Sequence, residues 1–324
     1  MKPIFKLTAD GSDITNLLNN YLISLSLTDE AGSNSDKLSI SLDDRENTLK
    51  LPKTGAVLAV AFGYEETGLI QKGSFNVDEV KLSWAPNKID ITARSANLRK
   101  ELRVKRDKSF HNKKLGEIVQ FIAKRHGLTP KVDSVLGAEI IEHIDQTNES
   151  DISFLDRIAD ERSAVVKAHE NMLIFAREAT AKSISNKPLP TTNIDIKDTA
   201  SGSCILNDRE RYTSVKAFFY NKQTAKKEVV TIGTGNDVYE MRSTFATKDE
   251  ALKMANAKLT KLSRLTEKLT ISMTGNPQIT AESNLNITGL KQGLNGLWTV
   301  KKATHKITSS GYTLSLELQP TKPR

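Results

Sequence analysis

The sequence predicts a mainly β protein of the α+β class, in which two similar β-rich modules flank a small inserted α/β domain. Three observations predict it. A motif occurs twice, 223 positions apart: Gly73-Ser-Phe75-Asn-Val77-Asp-Glu-Val80 and Gly296-Leu-Trp298-Thr-Val300-Lys-Lys-Ala303. Each copy runs across a turn into a second alternating stretch, Lys88 to Thr92 in one and Tyr312 to Leu318 in the other, so both read as β-hairpins. Between the copies, near Asn112, the apolar period changes from that of a strand to that of a helix. A module repeated at this distance marks two related domains rather than a short-period solenoid.

The first hundred residues are strand and turn. Tyr21 to Leu27 and Leu38 to Leu42 alternate strictly, as strands with one buried and one wet face do. Ala56 to Phe62 is apolar on both faces, so its outer face, carrying Val57, Ala59 and Ala61, is expected to be covered by another element or subunit. Turn signals separate these runs at Asp10-Gly11, Ala31-Gly32, Leu51-Pro52 and Thr67-Gly68. Short strands at this spacing build a barrel or a sandwich.

From 106 to 181 the pattern is α/β. Leu115, Ile118, Val119 and Ile122 form the stripe of an amphipathic helix that stops at Gly127. A second helix is predicted from Asp151 to Arg162, followed by a hairpin of Ala164–Ala168 and Met172–Ala176 turning at Glu170-Asn171. Residues 182–192, with Pro188 and Pro190, read as a linker. Residues 193–324 return to strands around one long helix, about 247–267. It opens on the capping box Thr247-Lys-Asp-Glu250, and Leu252, Ala255, Leu259 and Leu262 are expected to pack on the second module.

Composition limits the function classes. The 324 residues are 38% hydrophobic and 27% charged, which fits soluble domains with their own cores, and no run nears the roughly 20 apolar residues of a membrane span. Lys6 and Asp10 interrupt any signal-peptide core, so synthesis in the cytosol is expected. Cys204 is the only cysteine, which excludes an internal disulfide and a cysteine zinc site; it is expected to pack as a small hydrophobe. The net charge of +8 is spread along the chain, with 6% aromatic residues and no stacking platform, so it reads as a solvated face.

No enzyme signature is present. Gly233-Thr-Gly235 lacks the lysine and the helix of a phosphate loop, and the five histidines show no metal spacing. The candidate acids for glycoside hydrolysis, Asp43-Asp44-Arg45-Glu46 and Asp78-Glu79, fall in a loop and in a repeat copy whose counterpart is Lys301-Lys302. His126 reads as a helix-terminal histidine and His305 as a packed or surface one. The expectation is a non-enzyme without catalytic residues, cofactor or metal.

The order of motifs carries a family resemblance. Asp10-Gly11-Ser-Asp13-Ile14-Thr15, the Asp36 to Leu42 strand and Leu51-Pro52 through Phe62-Gly63-Tyr64 resemble the N-terminal module of the phage late control D proteins. These are the hubs of contractile tails, similar to the hub half of type VI secretion spike proteins. Thr274-Gly275-Asn-Pro277 and Gly296 through Leu314 resemble that family's C-terminal module, and the Leu115 to Leu128 helix resembles its insert. The resemblance implies two tube-type β-barrels in a homotrimeric pseudo-sixfold ring of the virion tail baseplate, assembled in the bacterial cytoplasm. It would join the tail tube protein to a trimeric central spike, with wedge and tape measure proteins as further neighbours and no membrane insertion of its own. Because the sequence ends soon after the last hairpin, the spike is expected to be a separate chain, and ring contacts would cover Val57, Ala59 and Ala61. Two other readings stay open: a peptidoglycan-binding module, since the 112–128 helix resembles a LysM domain, and a basic nucleic-acid binder.

Overall fold

A computed structural model describes residues 1–32, 35–95, 100–169, 172–177, 191–207 and 212–321. The first module comprises β1 (Pro3–Ala9), β2 (Ser12–Asp13), α1 (Thr15–Asn19), β3 (Leu22–Glu30), β4 (Lys37–Asp43), β5 (Val57–Tyr64), β6 (Gly68–Ser83) and β7 (Lys88–Ser95). Alternation does what the sequence requires of it. Leu25, Leu27, Leu38, Ile40, Leu58, Val60, Phe62, Phe75, Val77, Ile89 and Ile91 meet in one core, while the serines between them face outward.

The α/β stretch holds β8 (Lys105–Lys114), α2 (Leu115–Arg125), β9 (Thr129–Val132), α3 (Ser134–Gly137), β10 (Ile140–Ser150), α4 (Asp151–Glu161), β11 (Ala164–His169) and β12 (Met172–Arg177). Helix α2 buries the predicted stripe and ends at Gly127, whose φ of 61° is the left-handed conformation that glycine adopts without penalty. Helix α4 is capped by Ser150, whose Oγ accepts from the Ser153 N–H at 3.3 Å. Both helices cover a sheet ordered β11-β12-β9, with Phe154, Leu155, Ile158, Val166, Leu173 and Phe175 in the second core. The predicted turn at Glu170-Asn171 and the linker up to residue 190 lie outside the described residues.

The second module follows as β13 (Thr191–Asp195), β14 (Ser201–Leu206), β15 (Ser214–Asn221), β16 (Lys226–Gly233), β17 (Val238–Phe245), α5 (Lys248–Leu265), β18 (Glu267–Thr274), β19 (Asn284–Thr288), β20 (Gly296–Thr308) and β21 (Gly311–Pro320). Helix α5 begins with the predicted cap: Thr247 Oγ1 accepts from the Glu250 N–H at 3.2 Å. The Glu250 carboxylate reaches back to Ala246 rather than to Thr247. Its buried stripe is Ala251, Met254, Ala255 and Leu262, packed on the sheet β16-β15-β17 in a core of its own. The helix thus covers a separate small sheet instead of the strands of the repeated hairpin, which form another core around Trp298, Val300, Leu314 and Leu316.

Among the described residues the expected barrels do not close. Strands of the two modules join into one 13-stranded sheet, ordered β14-β18-β21-β20-β3-β4-β7-β6-β5-β1-β2 along its main path. The physical reason lies at β3: the edge that a closed barrel would pair with its own module is taken by β20, with seven partners from Lys302↔Glu30 to Thr308↔Ser24. The chain is mainly β, as expected, with its modules fused edge to edge.

Candidate functional site

The most informative surface is the set of strand edges that join modules, because both modules follow one plan. The first runs β3-β4-β7-β6-β5-β1, and the second runs β14-β18-β21-β20 with β19 and then β13 on the other side of β20. The likeness extends to irregular details. Gly73 and Gly296 both take positive φ, 105° and 125°. In both hairpins the register slips by one residue just after the second apolar position, at Asp78 and at Lys301. Val77 donates to the Ala56 carbonyl and accepts from Gly55; Val300 donates to the Ser283 carbonyl and accepts from Glu282. Gly55 and Glu282 again share positive φ, 87° and 65°. One difference stands out, since β1 runs antiparallel to β5 while β13 runs parallel to β19. The other is the α5 unit, placed between β14 and β18, where the first module connects β3 to β4 directly.

The internal seam β20–β3 is buried and cross-braced. His305, Leu27, Leu25 and Ile307 lie along it with at most 5% exposure. His305 Nδ1 lies 2.7 Å from the Tyr312 hydroxyl, and Tyr64 donates to the Gly275 carbonyl at 2.7 Å. Burial, then the nearby Lys72 ammonium, pushes the His305 imidazole down to about 3, so it is neutral here. Lys72, lowered by burial to about 8, donates to the Pro277 carbonyl at 2.6 Å.

A polar knot ties the α/β stretch to this seam. Lys167 of β11 lies 3.1 Å from both Asp29 and Asp36 and donates to the Glu30 carbonyl at 3.0 Å. Asp29 also accepts the Ala281 N–H at 2.9 Å, so three parts of the chain meet at one carboxylate. Burial pushes the Asp29 carboxyl up, but Lys167 and the Ala281 N–H outweigh it and hold the group below its usual range. Asp36, buried beside Asp29, is raised despite the same lysine. A cavity of about 490 Å³ opens next to this knot, lined by Asp29, Asp36, Lys72, Lys167 and Ala59 among others. On the far side, Lys253 of α5 pairs with Glu139, and Lys258 and Lys261 pair with Asp160 at 3.0 and 2.7 Å, fastening the α/β stretch to α5, while Arg162 pairs with Glu139 within that stretch at 3.1 Å.

The residues singled out from sequence are dispersed. Val57 is 42% exposed, Ala59 is half-buried at the cavity, and Ala61 is buried within its own chain. Asp43 pairs with Arg45, Asp44 accepts the N–H groups of Thr48 and Leu49, and Asp78 pairs with Arg94. His126 sits 2.7 Å from the fully buried Asp151, which also takes Arg125 at 2.9 Å; no local pattern signals this pairing across 25 positions. His111 and His143 stack across β8 and β10 with Nδ1 atoms 3.0 Å apart, a contact that only strand pairing could reveal. Among the described residues no group of three histidine, cysteine or carboxylate side chains is arranged to hold a metal.

A family model described as phage tail baseplate hub (GPD) matches residues 83–311. The chain belongs to the phage tail baseplate hub family. As a hub-family member it is a component of the virion tail. Hub relatives agree along nearly the whole length: the probable baseplate hub protein of Escherichia phage 186 is 32% identical over 362 aligned residues, covering 98% of this chain and 93% of that protein. The corresponding protein of Escherichia phage P2 is 32% identical over 361 residues, with the same coverage. The fold matches the 43 kDa tail protein of prophage MuSo2 from Shewanella oneidensis, with a TM-score of 0.74 at 14% identity over 99% of both chains.

Proposed function

We propose that this hub protein is a symmetry adaptor. Copies assemble as a homotrimeric ring in which each contributes two quasi-equivalent modules, residues 1–105 and 193–324, with 106–181 inserted between them. The ring then presents pseudo-sixfold symmetry to the tail tube protein and true threefold symmetry to a trimeric central spike. The observation that carries the reading is the shared plan of the modules, down to their bulges and positive-φ positions, together with the edge-to-edge seam that already joins one pair inside each chain. Rings need such heterologous, repeatable contacts. The role is structural and non-enzymatic. Of the β5 outer-face residues, Val57 presents substantial surface, so any ring contact on that face rests on it.

The test is binding to partners of known symmetry. Purified hub protein mixed with its tube protein and its spike protein should capture both at once. Capture of neither would sink the adaptor reading, and retention on cell-wall sacculi or steeply salt-dependent binding to duplex DNA in their place would favour the other two readings.

A further inference from the structure

We infer that His111 and His143 form a clamp for a divalent transition metal ion of the zinc, nickel and copper group, on the exposed face of the β8–β10 ribbon. The site lies within the α/β stretch of one chain, so it stands apart from the ring reading above.

Strand pairing brings the two rings together. The antiparallel register of β8 and β10 sets His143 directly opposite His111, so side chains 32 positions apart in sequence stand on one face of the ribbon. Their Nδ1 atoms are 3.0 Å apart and their ring centroids 4.5 Å, with 26° between the ring planes. A divalent ion holds imidazole nitrogens at about 2.0–2.1 Å, so two of them on one ion are separated by about 2.9 Å at a right angle and about 3.3 Å at the tetrahedral angle. The observed separation falls inside that window. Without an ion, one Nδ1–H donates to the other Nδ1. With one, each ring needs only a small turn to aim its lone pair at a common point, and both side chains are exposed enough to make it.

A third side chain prepares one of the ligands. Asp145 Oδ2 lies 3.0 Å from His143 Nε2, and a carboxylate can only accept. Neutral His143 therefore carries its proton on Nε2 and turns the Nδ1 lone pair toward His111. A carboxylate on the far nitrogen of a ligating histidine fixes the ring and raises its basicity, the usual support of a metal-bound imidazole. The pair His126 and Asp151 has similar chemistry, but it is wholly buried and shares its carboxylate with Arg125, whereas the His143 and Asp145 side chains are 51% and 47% exposed. Imidazole nitrogen selects zinc, nickel and copper; magnesium and calcium take oxygen ligands instead. Two protein nitrogens leave the remaining positions to water, so the ion is exchangeable, unlike one enclosed by four side chains. When bound, it ties β8 to β10, two strands whose lysines, histidines and acids give them little apolar burial of their own.

Calorimetric titration of the purified full chain with zinc, and with magnesium as the control, tests the clamp. The wild type should take up zinc and ignore magnesium. His143→Ala and His111→Ala should each abolish zinc uptake, as should the milder His111→Asn, which keeps a polar side chain without an imidazole. Asp145→Ala should weaken zinc binding by about 10–100-fold. Zinc should also slow hydrogen exchange at the β8 and β10 amides of the wild type, an effect that magnesium does not produce and His143→Ala does not show. A wild type that binds no zinc, or histidine variants that bind it as well as wild type does, would overturn the clamp. Slowed exchange elsewhere in the chain with none in β8 and β10 would do the same. Cys204 is the only cysteine, and zinc uptake lost in Cys204→Ser but kept in the histidine variants would place the ion on the thiol and overturn the assignment. Undiminished affinity in Asp145→Ala would remove the carboxylate from it.

Discussion

Replacing Lys167 by methionine removes a cation that Asp29 and Asp36 share, while keeping most of the side-chain volume. The lysine contacts both carboxylates at 3.1 Å, and their side chains are only 16% and 11% exposed. Deleting one member of a buried ion pair costs about 3–5 kcal/mol, and the residual solvent access here trims that to about 2–4 kcal/mol near neutral pH. The loss should shrink in acid. Without Lys167 the folded-state pKa of Asp36, already raised by burial and by Asp29, rises further above its unfolded value. The variant therefore regains stability as pH falls through that folded value, because a shared proton relieves the repulsion. Adding Asp36→Asn should recover much of the loss at pH 7.5 by removing one stranded charge. Hydrogen exchange at the amides of β3 and β11 is the suitable assay, since it reads local opening without assuming that a chain with several cores unfolds in one step. A change below about 1 kcal/mol at pH 7.5, or an equal change at pH 7.5 and pH 5, would refute the idea that this knot holds the α/β stretch to the seam.

Gly275→Ala should loosen the module junction by about 1–3 kcal/mol, because a Cβ there would lie 2.2 Å from the Tyr312 ring; unchanged thermal stability would contradict this. His305 stays neutral in the folded chain down to about pH 3 but titrates near 6.5 when unfolded, so stability should fall as pH drops below 6.5, by up to about 1.4 kcal/mol per pH unit. A His305→Phe variant should show a flatter slope between pH 7 and 5, and an identical slope would remove His305 from the account. Val57→Asp should weaken ring formation while leaving the monomer folded, as read by native mass and circular dichroism, and normal rings would exclude that face from the contact. Purified protein should not turn over peptidoglycan; activity that vanished on substituting Asp78, Glu79 or His305 by alanine would overturn the structural role.

Much of the fold was legible because strands and helices announce themselves by period. The serine-alternating runs became β3 and β4, and the stripe at Leu115–Ile122 and the helix expected at Asp151–Arg162 became α2 and α4. The Gly-x-aromatic-x-Val echo located both hairpins, since only glycine carries the positive φ at 73 and 296 cheaply. Strands β8 and β10 escaped because their lysines, histidines and acids give no apolar alternation; their pairing is decided by partners across the sheet. The face that α5 covers was hidden for a related reason, as a stripe of Leu and Ala does not say which sheet it meets. Closure failed as an expectation because edge pairing is a long-range choice, settled by β20 meeting β3 across more than 270 positions. Val57, Ala59 and Ala61 drew attention by composition, yet Ala61 owes its burial to its own chain.

The most direct measurement of the central claim is native mass spectrometry of the purified protein, paired with images of the same sample. The account predicts a species of three times the 35.8 kDa chain mass, seen end-on as a ring with an open centre and six similar lobes. A monomer at every concentration, persisting with tube and spike proteins present, or a compact dimer without a channel, would contradict it.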